Sequence, residues 1–244
     1  MSVPILVISD IHGNLEALEA VLKKTTGQYG KIWVVGDIFG YGPDPIICFD
    51  LLRSLDAVMV AGNHDKAAAG IVDVAHFNHE AQAALHLHRE LLDDERKAML
   101  ASLPTVLIQQ SITLVHGNLV NPIWGYVLTA SDAGRTLAAA TTFLTLVGHT
   151  HLPALWAYES DFGARAKSIH YGKEVHYTGN SHLANPGSVG QPRDMDLSAC
   201  YMILNPERKT MVFGRCPWPF APFRKKMRTR GYPESLIRRL TPGN

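Results

Sequence analysis

Cysteine is scarce in this chain. There are three in 244 residues, Cys48, Cys200 and Cys216, with no close pair and no CxxC. That spacing speaks against a thiolate zinc site and against a disulfide framework, and the odd count fits a reducing cytoplasm. Long apolar runs are also missing. The opening MSVPILVISDIHGN has no basic segment, and its apolar stretch of about five residues is too short for the core of a secretory leader. Nothing later approaches the ~18 apolar residues of a membrane span. A dominant charge is absent too: 23 Lys and Arg stand against 22 Asp and Glu, a formal net of +1. Nucleic acid would therefore need a local basic patch to bind, and a membrane is not expected as a partner. Internal repeats, long linkers and low-complexity segments do not occur. With 46% hydrophobic and 18% charged residues there is ample material for a core. The expectation is a soluble cytoplasmic protein of one domain over 1–244, with residues from about 217 to 244 as a basic C-terminal extension.

The first 65 residues read strand–helix–strand–helix–strand. Val3 to Ser9, Lys31 to Val35 and Ala57 to Ala61 are short β-branched apolar runs of the buried-strand kind. Asn14 is placed to cap a helix carrying Leu15, Leu18, Val21 and Leu22 on one face. Asp44 and Pro45 are placed to open a second helix through Leu55. Such βαβ units predict a sheet with parallel strands. Phe77 to about Leu103 reads as one or two helices, followed by strands Thr105–Gln109 and Ile112–His116. A helix capped by Ser131 runs through Phe143, and Leu144 to Val147 is a further strand. Beyond Pro153 short strands are predicted at Leu155–Glu159, Ser168–Tyr171, Val175–Tyr177, Ala199–Leu204 and Thr210–Arg215. A short helix is predicted near Ser235–Leu240. The first part is α/β and the second mostly β.

Histidine and aspartate fall at the ends of the predicted strands. Asp10 and His12 follow the first, Asp37 the second, and Asn63, His64 and Asp65 the third. His116 ends another, and His149 and His151 follow a fifth. Ligands of open α/β sheets bind at those carboxyl ends, so five loops can converge on one pocket. Oxygen and imidazole donors without thiolate suit manganese, iron, zinc or a similar ion. In an extended segment, residues two apart point to one side, which would aim Asp10 with His12 and His149 with His151. The candidate ligands are too many for one tetrahedral ion and fit two ions about 3.5–4 Å apart. His64 and Asp65 are adjacent, and a carboxylate beside an imidazole would raise its pKa.

The ordered set DIHGN, GD, GNHD, HG and GHTH resembles the calcineurin-like metallophosphoesterase superfamily. GDIFGYGPDP, HGN with NPIWGYV, and NPGSVGQPRD look like its small bacterial YfcE-like phosphodiesterase branch. The resemblance runs from about Ile5 to Arg193. It implies a four-layer α/β/β/α sandwich of mixed sheets. It implies two divalent ions, manganese first, with iron, zinc or nickel as alternatives. Asp10, His12, Asp37 and His151 would hold one ion. Asp37, Asn63, His116 and His149 would hold the other, with Asp37 bridging. A hydroxide bridging the ions would attack a phosphodiester of a small or nucleotide-like substrate, with His64 as general acid and Asp65 orienting it. The second motif, GDIFGYG, lacks the Asp-Arg pair of phosphoprotein phosphatases, which leaves the phosphate-binding cation unassigned. Phosphomonoesterase activity, on nucleotide or phosphoprotein substrates, is the alternative. A non-catalytic protein-binding scaffold is a third reading, opposed by the full ligand set. Homo-oligomers are common among such proteins, and nothing in this chain reveals an interface.

Other groups stay open between packing and function. His76, His79, His86 and His88 read as a solvated helix surface or as an overhang lending His79 or Asn78 to a substrate. Trp124 and Tyr126 read as rim packing or as base-stacking surfaces. The loop Asn185–Arg193 reads as turn chemistry or, through Ser188 and Arg193, as a phosphate contact. The basic run from Arg224 to Arg230 reads as a solvated helix face or, with less support because aromatic interleaving is sparse, as a nucleic-acid contact.

Overall fold

Strict alternation in the short strands builds two cores at once. In the computed structural model, which describes residues 3–239, Ile5 and Val7 face one way and Leu6 and Ile8 the other, all fully buried. The chain runs β1 (Ile5–Ile8), α1 (Leu15–Lys24), β2 (Lys31–Val35), α2 (Pro45–Ser54), β3 (Val58–Val60) and α3 (Asn63–Ala68). A 3-10 turn at Val74–His76 precedes α4 (His79–Leu91), α5 (Asp94–Ser102), β4 (Val106–Gln109), β5 (Ile112–Val115), α6 (Ala130–Ala139) and β6 (Leu144–Leu146). Then come β7 (Ala154–Glu159), β8 (Gly163–Ala166), β9 (Glu174–His176), β10 (His182–Asn185), β11 (Ala199–Asn205), β12 (Thr210–Cys216), α7 (Phe220–Thr229) and α8 (Glu234–Arg238).

Two mixed six-stranded sheets result, in the orders β3-β2-β1-β11-β12-β9 and β4-β5-β6-β10-β7-β8. In the first, β1, β2 and β3 are parallel and β11 joins β1 antiparallel. In the second, β5, β6 and β10 are parallel. The sheets meet through Val7, Trp33, Val35, Leu114, Leu146, Met202 and Phe213. The outer face of the first sheet, with Leu6, Ile8 and Val34, lies under the helical side chains Leu18, Phe49 and Leu85. Ala133 and Leu137 of α6 cover Val115, Val147 and Leu183 of the second. This is the expected α/β/β/α layering.

Several local expectations change. The strand expected at Ser168–Tyr171 lies instead at Gly163–Ala166, and β10 was not foreseen. The cap of α6 is Thr129, whose hydroxyl accepts the Asp132 N–H while Asp132 returns to the Thr129 N–H, a capping box two residues before Ser131. GNHD is no loop: Asn63, His64 and Asp65 form the first turn of α3. The expected C-terminal helix is α8, and Leu240 lies outside the described residues. The basic run is amphipathic and packed, with Phe223 and Met227 of α7 buried against the helical layer. No helix among the described residues is long and apolar enough to cross a membrane.

Candidate metal centre

The parallel strands β1, β2, β3, β5 and β6 all deliver their carboxyl ends to one pole, and every predicted ligand stands there. Asp10, His12, Asp37, Asn63, His116, His149 and His151 are each at most 5% exposed. Three groups of donor atoms lie within 4.8 Å of one another: Asp10, His12 and His151; His12, Asp37 and His64; Asp37, His116 and His149. Asp37 links the second and third. Its Oδ2 is 3.2 Å from His116 Nε2 and 3.8 Å from His12 Nε2.

The backbone reaches this arrangement by a route the extended-segment reading missed. Asp10, His12, Asp37, His149 and His151 have φ of 53, 49, 54, 66 and 61°. These are left-handed conformations, each costing a non-glycine residue on the order of 1–2 kcal/mol. The D-x-H and H-x-H pairs therefore converge through tight turns. Partners on the neighbouring strand loop hold them: Asp10 N–H donates to Gly36 O, His12 N–H to Asp37 O and Gly13 N–H to Ile38 O. Gly36 is itself at φ 85°, and a Cβ there would lie 2.6 Å from His116 Nδ1. Only glycine fits that position.

Ring orientation is set from behind. His12 Nδ1 faces Phe39 O at 2.8 Å, His116 Nδ1 faces Val35 O at 2.9 Å, and His151 Nδ1 faces Gln191 O at 2.6 Å. A carbonyl oxygen only accepts, so each Nδ1 carries a proton, and where the ring is neutral Nε2 presents a lone pair. Burial holds His12 and His151 well below the ordinary histidine pKa, so both rings are neutral. Their Nε2 atoms nevertheless face each other at 3.1 Å. Two opposed lone pairs call for a cation. Asp10 Oδ2, Asn63 Oδ1 and His149 Nε2 are likewise buried without a hydrogen-bond partner among the described residues. Burial lifts Asp10 to about 7. Burial also opposes the charge of His116, yet the Asp37 carboxylate carries it up to about 9. Oxygen and imidazole donors left unmatched in this way fit divalent ions.

His64 stands beside the ligands, packed among His12, Tyr41 and Phe77 at ring distances of 4.7–4.8 Å. Asp65 does not orient it. The Asp65 carboxylate accepts N–H bonds from Asp37, Ile38, Phe39 and Gly62 at 2.8–3.0 Å. It thus clamps the loop that carries Asp37, while His64 Nδ1 is buried and unpartnered among the described residues. Burial lowers the His64 pKa to about 4, opposite to the rise expected from a neighbouring Asp65.

A cavity of about 110 Å³ opens above the ligands, lined also by Tyr41, Phe77, Trp124, Tyr126 and Arg193. Phe77 and Trp124 pack at 5.0 Å, and Tyr126 stacks on His149 at 4.1 Å. His88, expected on a solvated surface, is fully buried. Its Nδ1 accepts the Gly40 N–H and its Nε2 bonds Gly42 O, which ties α4 to the loop bearing Tyr41. Sequence reasoning missed Tyr41 and Gln191. The only signal for either was its place in the phrases GYG and GQPR.

The sequence matches the model of the calcineurin-like phosphoesterase superfamily domain over residues 3–209. It is 33% identical over 247 residues to the uncharacterized protein MJ0912 of Methanocaldococcus jannaschii, covering 98% of each chain. The crystal structure of a metallophosphoesterase from Sphaerobacter thermophilus superposes with a TM-score of 0.90 at 38% identity, over 100% of both chains. A shorter match, 35% identical over 63 residues, covers 24% of this chain and 22% of a symmetrical bis(5'-nucleosyl)-tetraphosphatase from Pectobacterium carotovorum.

Proposed function

The chain belongs to the calcineurin-like phosphoesterase superfamily, and from that premise we propose that it is a two-metal phosphodiesterase acting on small or nucleotide-like esters. The observation that carries this reading is the convergence of seven buried oxygen and imidazole groups, with His12 and His151 Nε2 facing each other and Asp10, Asn63 and His149 each leaving an atom unpartnered among the described residues. Asp10, His12, Asp37 and His151 would hold one ion, and Asp37, Asn63, His116 and His149 the other. When bound, the ions would offset charge on the phosphoryl oxygens and lower the pKa of the attacking water.

The chain's own residues supply the rest. Three backbone carbonyls fix the imidazoles, so the donors are organised before any ligand arrives. Asp65 holds the Asp37 loop through four N–H bonds. His64, beside the ligands and unpartnered at Nδ1, is placed to give a proton to the leaving oxygen. It is neutral when the site holds no anion, and an incoming phosphate favours its protonated form. Phe77 and Trp124, tilted at 53° to each other, offer aromatic surface to the ester group. The short match to a nucleotide-cleaving relative points the same way.

The test is hydrolysis of bis-p-nitrophenyl phosphate and a matched monoester by metal-stripped protein, with and without Mn²⁺. Diester cleavage that returns with metal and exceeds monoester cleavage is the expected result. A monoester preference would move the assignment to a phosphomonoesterase. In His64→Ala, both metals are retained and turnover falls about 10²–10⁴-fold on esters with poor leaving groups. Wild-type rates on those esters would remove His64 from the acid role.

A further inference from the structure

The missing Asp-Arg pair leaves the site without a cation for the phosphoryl oxygens, and one other arginine lines the same cavity. Arg193 shares it with Asp37, Asn63, His64, His149 and His151. It is exposed, and among the described residues it forms no ion pair with a carboxylate within 4 Å. Its neighbour Asp194 is taken instead by Arg215. Arg193 Nη2 donates to Gln191 Oε1 at 3.1 Å, and the Tyr126 hydroxyl is its other partner. Both partners are neutral, so the guanidinium keeps its full charge. Gln191 is 2% exposed, and its Nε2 is a second buried donor with no partner among the described residues.

The loop beneath Arg193 is rigidly tied to the ligand loops. Val189 N–H donates to Ser9 O and Gly190 N–H to Asp10 O. The Ser188 hydroxyl donates to Asp10 O at 2.8 Å and accepts the Gln191 N–H at 2.8 Å. Gln191 O in turn holds the His151 ring. A change at the tip of this loop is therefore registered against Asp10 and His151. Once divalent ions fill these donors, the guanidinium would face like charge across the cavity, and an anion between them would offset it.

Building on the phosphoesterase reading, we infer that Arg193, steered by Gln191 and Tyr126, is the phosphate-binding cation of this site. It would grip non-bridging phosphoryl oxygens through its planar fork. The ligand class is a tetrahedral oxyanion: substrate phosphoryl group, product phosphate monoester or inorganic phosphate.

The experiment measures binding of inorganic phosphate by calorimetry to Mn²⁺-loaded wild type, Arg193→Met and Arg193→Lys, with kcat/KM on bis-p-nitrophenyl phosphate alongside. Because Arg193 is exposed, both variants are expected to fold, with far-UV spectra and metal content as checks. Arg193→Met is expected to weaken phosphate binding about 10- to 100-fold, with Arg193→Lys between the two. Phosphate affinity within about twofold of wild type in Arg193→Met, in an active esterase, overturns the assignment and leaves the esterase reading intact. If wild type cleaves no phosphate ester with any divalent metal but Arg193→Met still loses phosphate binding, the esterase reading falls and the anion site stands.

Discussion

Single side chains in this protein serve as structural pins as much as chemical groups. Asp37 touches two histidines from different strands, His12 and His116, and belongs to two of the three donor clusters. Asp37→Asn removes the negative charge at that junction and leaves a single neutral oxygen acceptor. Metal content measured by mass spectrometry is expected to fall from about two ions per chain to one or none. A full complement of two in the variant would show that Asp37 does not bridge. His88 gives a second prediction at this scale. Its Nδ1 accepts an N–H bond and so requires the neutral ring, and burial depresses its pKa from 6.5 to about 3. A depressed histidine disfavours protonation in the folded state only. The stability it contributes is complete above pH 6.5 and is lost as pH falls toward 3, by about 1.4 kcal/mol per pH unit within that window. Urea titrations of the metal-free protein between pH 4 and 7 should show a shallower acid slope for His88→Asn than for wild type. Equal slopes would mean that other buried histidines dominate.

At the scale of elements, the C-terminal helices brace the loop that carries Tyr41. Lys226 of α7 pairs with Asp44 at 2.6 Å and Glu16 at 2.9 Å, Arg230 pairs with Asp44 at 2.9 Å, and the Tyr232 hydroxyl donates to Gly42 O at 3.1 Å. Asp44 thus begins α2 without capping it through its side chain, because α7 uses the carboxylate. The apolar anchor is Phe223, 1% exposed and in edge contact with Trp218. Phe223→Ala is expected to cost about 3–5 kcal/mol in urea unfolding. A cost below about 1 kcal/mol would mean that α7 can leave without disturbing the core. This bracing was hidden in the sequence, where the run from Arg224 to Arg230 reads as charge for solvent. Its apolar positions are few, and their partners lie nearly the whole chain away. The βαβ opening was legible because each strand is a β-branched run and Asn14 caps α1 as expected, its side chain accepting the Ala17 N–H. The β10 strand was not, since His182–Asn185 offers too few apolar residues to stand out.

For the whole molecule, the family and the gathering of the candidate ligands at one pole could be read from the motifs, because each candidate follows a strand and the parallel order brings those ends together. The left-handed turns at Asp10, His12, Asp37, His149 and His151 could not, since no residue type there announces positive φ. The same geometry links metal to stability. Facing lone pairs and buried carboxylates destabilise the metal-free fold, so ions that bind only the folded chain stabilise it. At a metal concentration a hundred times Kd the gain is about 2.7 kcal/mol per site, or roughly 5–10 °C in Tm for a chain this size. Thermal scans with Mn²⁺ and with a chelator would measure it, and coincident curves would contradict a centre that depends on cations.

The pairing of Ile5 with Leu204 has a temporal side. The first strand leaves the ribosome roughly 200 residues before its antiparallel partner, a wait of about 10–40 s at 5–20 residues per second. Throughout that interval one edge of β1 stays open, and for most of it Asp10 lacks the hydrogen bonds of Ser188 and Gly190 behind it. Loading of the ions then belongs after synthesis, and a nascent chain halted before residue 199 should capture no metal that the finished protein holds.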